Sequence, residues 1–159
     1  MTELELIAAR ADIFGTVFVI VAHLTRRTDA ALASLGLTTP QWLLLAILTR
    51  GFPGRSPTLT EAAERYGSSR QNIKQIALGL ETRGFLHLVP DAEDGRATRL
   101  VLTDRVAAFD EPAAQAQAVS LLADATAGLS ADDTVALRDL MHHWLAGISA
   151  LPMSRGAHP

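Results

Sequence analysis

A chain of 159 residues is long enough for one domain, or one unit with two lobes, around a sizeable core. With 48 % apolar and 19 % charged residues it is not a disordered chain, and without cysteine it has no disulfide, thiolate metal site or cysteine redox switch. A formal charge of −3 counts against a nucleic-acid binder only until it is read locally: residues 100–159 carry three Arg against seven acids, whereas residues 36–59 hold Arg50 and Arg55 and no acid.

Glu3 and Glu5 stand where the positive region of a secretion signal would be, so none is expected. The most apolar run, Ile13 to Ala22, is too short for the ~20 residues of a bilayer span. The expectation is a cytoplasmic chain with no membrane segment. From Glu3 to about Ser34 the residues Ile7, Ala11, Phe14, Phe18, Val21, Ala22 and Thr25 recur at helical spacing, although "VFVIV" has strand propensity. A helix of ~30 residues spans ~45 Å, against a radius of gyration of ~15 Å for a monomer of this size. One end would project with apolar side chains on it, and a partner chain is the economical cover.

Gly36 stops this helix. Thr39 as N-cap and Pro40 as first helical residue open the next, with Trp42, Leu45, Ala46 and Leu48 or Thr49 as its buried stripe. "GFPGRSPT" is a loop. "TLTEAAERYG" is a short helix capped by Thr58 or Thr60 and stopped by Gly67. Ser69 caps the following helix, whose Ile73, Ile76, Ala77 and Leu80 share one face, and Gly84 ends it. "FLHLVP" and "ATRLVLT" read as strands around "DAEDGR", with Asp-Gly as the turn signal. From Asp104 the chain is helical to about Ala127, restarting at Pro112 near Asp110. Gly128 stops it, and Ser130 with Asp133 caps a last amphipathic helix on Val135, Leu137, Leu140, Met141, Trp144 and Leu145. Residues 152–159 read as a loose tail.

A short helix, the turn "YGSS" and a second capped helix form a helix-turn-helix. The buried face of the second helix leaves Ser69, Arg70, Gln71, Asn72, Lys74 and Gln75 outward within its first two turns. A helix N-terminus offers free amides to a phosphate, and Arg, Gln and Asn pair with base edges bidentately. Composition alone fits an ordinary solvated face equally well. The hairpin that follows favours DNA, since Arg96 at its tip can reach a minor groove or the backbone.

With these pieces in place the sequence resembles the MarR family of winged-helix transcription regulators. The resemblance rests on "LTTPQWLLLAIL", "LTEAAERYGSSRQNIKQIALGLETRGFL", the wing "PDAEDGRATRLVLTD" and "GLSADDTVALRDLM". It implies a mainly α fold with a small β-hairpin wing, a winged helix-turn-helix over residues 36–103 flanked by long dimerisation helices over 1–35 and 104–151. It further implies a homodimer on a pseudo-palindromic site of double-stranded DNA, acting as a repressor and released by a small, often aromatic, effector. The family wing usually reads "DDRR"; here it is "EDGR", with Gly95 for the first Arg and Arg96 for the second. Leu88 and Val89 stand where basic residues are frequent, and Val106 replaces a glycine two residues beyond "LT".

Other chemistries fit poorly. "DAEDG" resembles a calcium loop, but its glycine is one position early and Leu102 holds the place of the closing Glu. His142 and His143 are adjacent on a helix and point ~100° apart, which suits no shared metal. Among the helices expected to enclose the family's ligand cleft, Phe14, Phe18, Trp42 and Phe109 are candidate pocket walls, with Arg10 for an anionic effector and His23 nearby; packing and an exposed dimer-edge histidine are the ordinary readings. No nucleophile, phosphate loop or paired-acid signature suggests an enzyme, and no cofactor is expected. Two readings remain: a ligand-controlled DNA-binding dimer, or a dimeric winged-helix module for small molecules or proteins that has lost sequence-specific DNA binding.

Overall fold

The computed structural model describes residues 1–151; the tail expected over 152–159 lies outside the described residues. The order is α1 (Glu3–Leu32), a 3-10 turn (Ala33–Leu35), α2 (Thr39–Gly51), α3 (Leu59–Tyr66) and α4 (Arg70–Thr82). There follow β1 (Leu86–Pro90), β2 (Thr98–Leu102), a second 3-10 turn (Asp104–Asp110), α5 (Pro112–Ala125) and α6 (Ala131–Ser149). This is the expected mainly helical winged-helix arrangement. Two compact units divide inside α5, between Leu121 and Leu122.

In the first unit the core runs from Leu32 to Leu100, around Leu44, Leu59, Ile73, Leu80, Phe85 and Leu86, all fully buried. α1 enters it only at Leu32. Its helical conformation overrides the strand propensity of "VFVIV", and a capping box between Thr2 and Glu5 starts it. Ile7, Phe14, Phe18, Val21 and Leu24 stay exposed, as the excess length required.

α2 differs from expectation in two ways. Its cap is Thr38, whose backbone N–H donates to Gln41 Oε1 at 3.1 Å, so Thr39 and Pro40 are both inside the first turn. Thr39 instead reaches back to α1, its N–H donating to Asp29 Oδ1 at 2.6 Å. The buried stripe is Gln41, Leu44, Leu45 and Leu48, while Trp42 remains 37 % exposed and Thr49 is exposed. The polar Gln41 can occupy the inward position because the cap satisfies its oxygen; the larger Trp42 is displaced by one position, ~100° around the helix.

α3 is capped by Thr58 and ends at Gly67, whose φ of 73° permits the sharp turn into α4. β1 and β2 pair antiparallel with Leu86 opposite Leu102 and Leu88 opposite Leu100. Leu100 N–H also donates to Pro57 O at 2.9 Å, tying the hairpin to the loop before α3. Pro112 restarts the chain as α5 after the 3-10 turn, as expected.

In the second unit Ser130 Oγ accepts from Asp133 N–H at 3.1 Å and starts α6. Hydrogen bonds from Ser130 hold the Asp133 carboxyl below the usual range. The stripe Val135, Leu137, Leu140, Met141, Trp144 and Leu145 is exposed throughout. Among the described residues no helix is long and apolar enough to cross a membrane.

Candidate nucleic-acid interface

The candidate surface begins at the α3–α4 turn. Ser69 Oγ accepts from Asn72 N–H at 3.2 Å, which fixes the first turn of α4 and leaves its other amide groups facing out. Ile73, Ala77 and Leu80 are fully buried and set the rotation of the helix. That rotation leaves Ser69, Arg70, Gln71, Asn72, Lys74 and Gln75 exposed together. Asn72 is oriented by a residue the sequence did not single out: its Nδ2 donates to Ser68 Oγ at 2.9 Å. An amide has two hydrogens, so this bond leaves Oδ1 and one N–H free for a base edge.

The wing is held differently from expectation. The chain does turn at Asp94-Gly95, with Ala97 N–H donating to Asp94 O at 2.8 Å, but Gly95 does not adopt a positive φ. The buried Asp91 organises the loop instead. Its Oδ1 accepts from Glu93 N–H at 2.8 Å and Asp94 N–H at 2.9 Å, and its Oδ2 pairs with Arg99 Nε. Those backbone amides, Asp94 first, hold the Asp91 carboxyl below its usual range, with Arg99 adding to them. Arg99 also donates to Ser56 O at 2.7 Å, fixing the wing root to the α2–α3 loop. The same bonds explain the acidic loop without a cation, and among the described residues no cluster of three or more metal-ligand side chains occurs. The signal for Arg99 was available in the strand register, which puts it opposite Val89 and beside the loop start. Arg96 is exposed at the tip, and among the described residues no ion pair engages Arg70, Lys74 or Arg96.

A second polar cluster supports α3. Glu61 accepts from Thr58 N–H at 2.7 Å and from Arg55 at 2.7 Å, which lowers its carboxyl to about 2. Arg55 also lies 4.7 Å over the Phe52 ring. Tyr66, on the same helix, is pushed up by burial.

The MarR family profile matches residues 35–97, which run from just before α2 through α3, α4 and β1 into the wing loop and stop before β2. The matched segment is a winged helix-turn-helix similar to that of the MarR family. Solved MarR-family structures share the chain's fold. A mutant MarR from E. coli complexed with operator DNA is 20 % identical, with a TM-score of 0.73 over 84 % of this chain and 94 % of that one. A MarR family transcriptional regulator from Streptomyces coelicolor in complex with DNA is 22 % identical, with a TM-score of 0.71 over 99 % and 95 %. A probable transcriptional regulator from Pseudomonas aeruginosa is 26 % identical, with a TM-score of 0.63 over 80 % and 96 %. Among curated sequences, the transcriptional activatory protein BadR of Rhodopseudomonas palustris is 30 % identical over 83 residues, 52 % of this chain and 47 % of BadR. An uncharacterized Mycobacterium bovis protein is 29 % identical over 94 residues, 59 % of this chain and 63 % of that one. The chain thus spans about half the length of the first of these relatives and under two thirds of the second.

The residues suggested for an effector pocket are spread along the chain. Phe14 and Phe18 meet edge to face at 5.1 Å on α1, 62 % and 61 % exposed. Arg10 and His23 are exposed on the same helix. Trp42 lies on α2, and Phe109 packs 6.0 Å from Phe85 at the core edge. None of the six lines the cavity of about 360 Å³ between the α2–α3 loop and β2, whose walls include Phe52, Arg55, Pro57 and Val101.

Proposed function

We propose that the chain is a dimeric, DNA-binding transcription regulator of MarR type that reads double-stranded DNA with α4 and touches it with the wing. The observation that carries this reading is the exposed set from Ser69 to Gln75 on a helix whose opposite face is locked into the core. Arg70 and Lys74 supply charge for phosphates, while Gln71, Asn72 and Gln75 supply paired donors and acceptors for base edges. Structures solved with DNA among the fold's neighbours support it. The exposed apolar residues of α1, and separately those of α6, support a homodimer, because so much exposed apolar surface is unusual in a monomer. Two copies would then read the two halves of an inverted repeat.

Repression is the working direction, since a bound dimer blocks any promoter its site overlaps. The name of BadR marks a relative as an activator, so the direction belongs to the site's position and not to the fold. An aromatic acid is the proposed effector class. Phe14 and Phe18 offer ring faces, and Arg10, four residues before Phe14 on α1, offers a cation.

Selection from a random duplex library with purified protein at physiological salt tests the reading. Recovery of an inverted repeat with half-sites ~10 bp apart is expected. Recovery of nothing above background overturns DNA reading and favours the ligand- or protein-binding module.

A further inference from the structure

We infer that Gln41 and Arg83 are positioning residues for the recognition helix, holding α4 at a fixed height and rotation against the start of α2. The inference rests on the DNA-reading role proposed above and adds what sets its geometry. Three observations meet at one place. Gln41 is a polar residue 91 % buried in an otherwise apolar stripe, its Oε1 taken by Thr38 N–H at 3.1 Å and its Nε2 laid on the backbone of α4 at Gly79. The approach is so close that a Cβ at position 79 would stand 2.5 Å from that nitrogen. Arg83, the C-cap of α4, donates through Nε to Gly36 O at 2.5 Å and through Nη1 back to Gly79 O of its own helix at 2.9 Å. Its planar fork thus bridges the turn before α2 to the last turns of α4, which a lysine, with one point charge, cannot do equally well.

Apolar packing alone specifies α4 poorly along its own axis, because Ile73, Ala77 and Leu80 can slide by fractions of an ångström at little cost. The directed hydrogen bond from Arg83 to Gly36 O and the close seat of the Gln41 amide against Gly79 remove that freedom. The same α2 turn is tied to α1, where Asp29 Oδ1 accepts from the Thr39 N–H and, at 2.8 Å, from the Thr39 hydroxyl. Base reading needs side chains placed to within about half an ångström, so a loose α4 keeps its phosphate contacts and loses discrimination.

The test separates geometry from DNA binding. The chain has no cysteine, so Arg27→Cys on α1 and Leu78→Cys on α4, both exposed, can carry spin labels with dilution by unlabelled chain. Parent protein is expected to give one narrow distance, and Arg83→Ala and the volume-matched Gln41→Met a broadened or shifted one, with Arg83→Lys intermediate. An unchanged distribution in both variants overturns the inference. In parallel, affinity for the selected repeat over random duplex is measured well below each variant's melting temperature. The expected result is a fall in that ratio by about tenfold, the size of one misplaced base contact, with random-duplex affinity unchanged. A ratio equal to the parent's overturns the positioning role even if the distances change. A parent that prefers no duplex sequence overturns DNA reading itself, and the distance measurement still decides whether the two residues hold α4.

Discussion

Gly79→Ala is a substitution whose sign the structure decides. In an exposed helix interior alanine is favoured over glycine by about 1 kcal/mol. Here the new Cβ would lie 2.5 Å from Gln41 Nε2, so Gln41 must retreat by about 1 Å to reach an ordinary contact. Its amide is buried and its oxygen holds the Thr38 N–H, so retreat loses the cap, about 1 kcal/mol, and strains a packed site by a further 1–3 kcal/mol, roughly. The net expectation is destabilisation by about 2 kcal/mol, or roughly 4–8 °C in Tm for a chain of this size. A double-mutant cycle sharpens it. In a Gln41→Ala background the space is open, and Gly79→Ala should then stabilise by about 1 kcal/mol. Urea melts at one fixed protein concentration, which keeps any dimer contribution constant, measure all four proteins. Gly79→Ala stabilising the parent chain, or equal effects in the two backgrounds, would refute the close approach.

Arg96→Ala should weaken binding to every duplex and reduce the slope of log affinity against log salt by about 0.9, whereas Gln71→Ala or Asn72→Ala should change the preferred bases at a cost of about 1–3 kcal/mol on the best site; titrations at several salt concentrations separate the two. Glu61 is held at about 2 against an ordinary 4.5, so its contribution is present above pH ~4.5 and lost as pH falls from there toward 2. With the side chain 37 % exposed, solvent screening leaves about 1 kcal/mol, and the stability gap between parent and Glu61→Gln should close over that pH range in urea melts. Phe18→Asp should shift sedimentation equilibrium toward monomer without altering the buried core, since Phe18 is exposed and, among the described residues, its ring pairs only with Phe14; an unchanged assembly state counts against α1 as the dimer surface.

Helix existence and order were legible because caps and stops punctuate this chain densely. Thr58, Ser69 and Ser130 cap as read, and Gly36, Gly67 and Gly84 stop with left-handed backbones. Leu45 and Leu48 of the α2 stripe are buried as read, but its first position was misplaced because hydrophobicity ranks Trp42 above Gln41, and a sequence does not show that a cap can satisfy a buried amide. The wing turn was legible at Asp94-Gly95, where Ala97 N–H closes on Asp94 O at 2.8 Å, but what holds the loop was not. Asp-Gly is a sound local signal, yet a carboxylate eight residues before its arginine partner gave the loop a stronger organiser. The outward set on α4 was legible because three buried positions fix its rotation. Gly79 was not, since in sequence it is only a glycine inside a helix, and its purpose lies across the interface with α2.

The charge of the wing decides where binding energy must come from if the chain reads DNA. Residues 91–99 contain three acids and two arginines. Arg99 is committed to Asp91 and Ser56, which would leave Arg96 to face phosphates in the company of exposed Glu93 and Asp94. Like charge near a phosphate raises the cost of approach over a Debye length of ~8 Å, so Arg96 gives little beyond offsetting its neighbours. On the proposed function, attraction would therefore fall to Arg70 and Lys74 on α4, and discrimination to Gln71, Asn72 and Gln75 beside them. Such a protein binds random duplex weakly, and its affinity depends on how accurately one helix is presented. Neutralising the tip with Glu93→Gln and Asp94→Asn should accordingly raise affinity for random duplex more than for the selected repeat, narrowing the ratio between them. Asp94 Oδ1 accepts from Arg96 N–H at 3.0 Å, and the asparagine oxygen preserves that bond, so the change is one of charge and not of shape. An unaltered random-duplex affinity at low salt would place the wing tip out of reach of the phosphates.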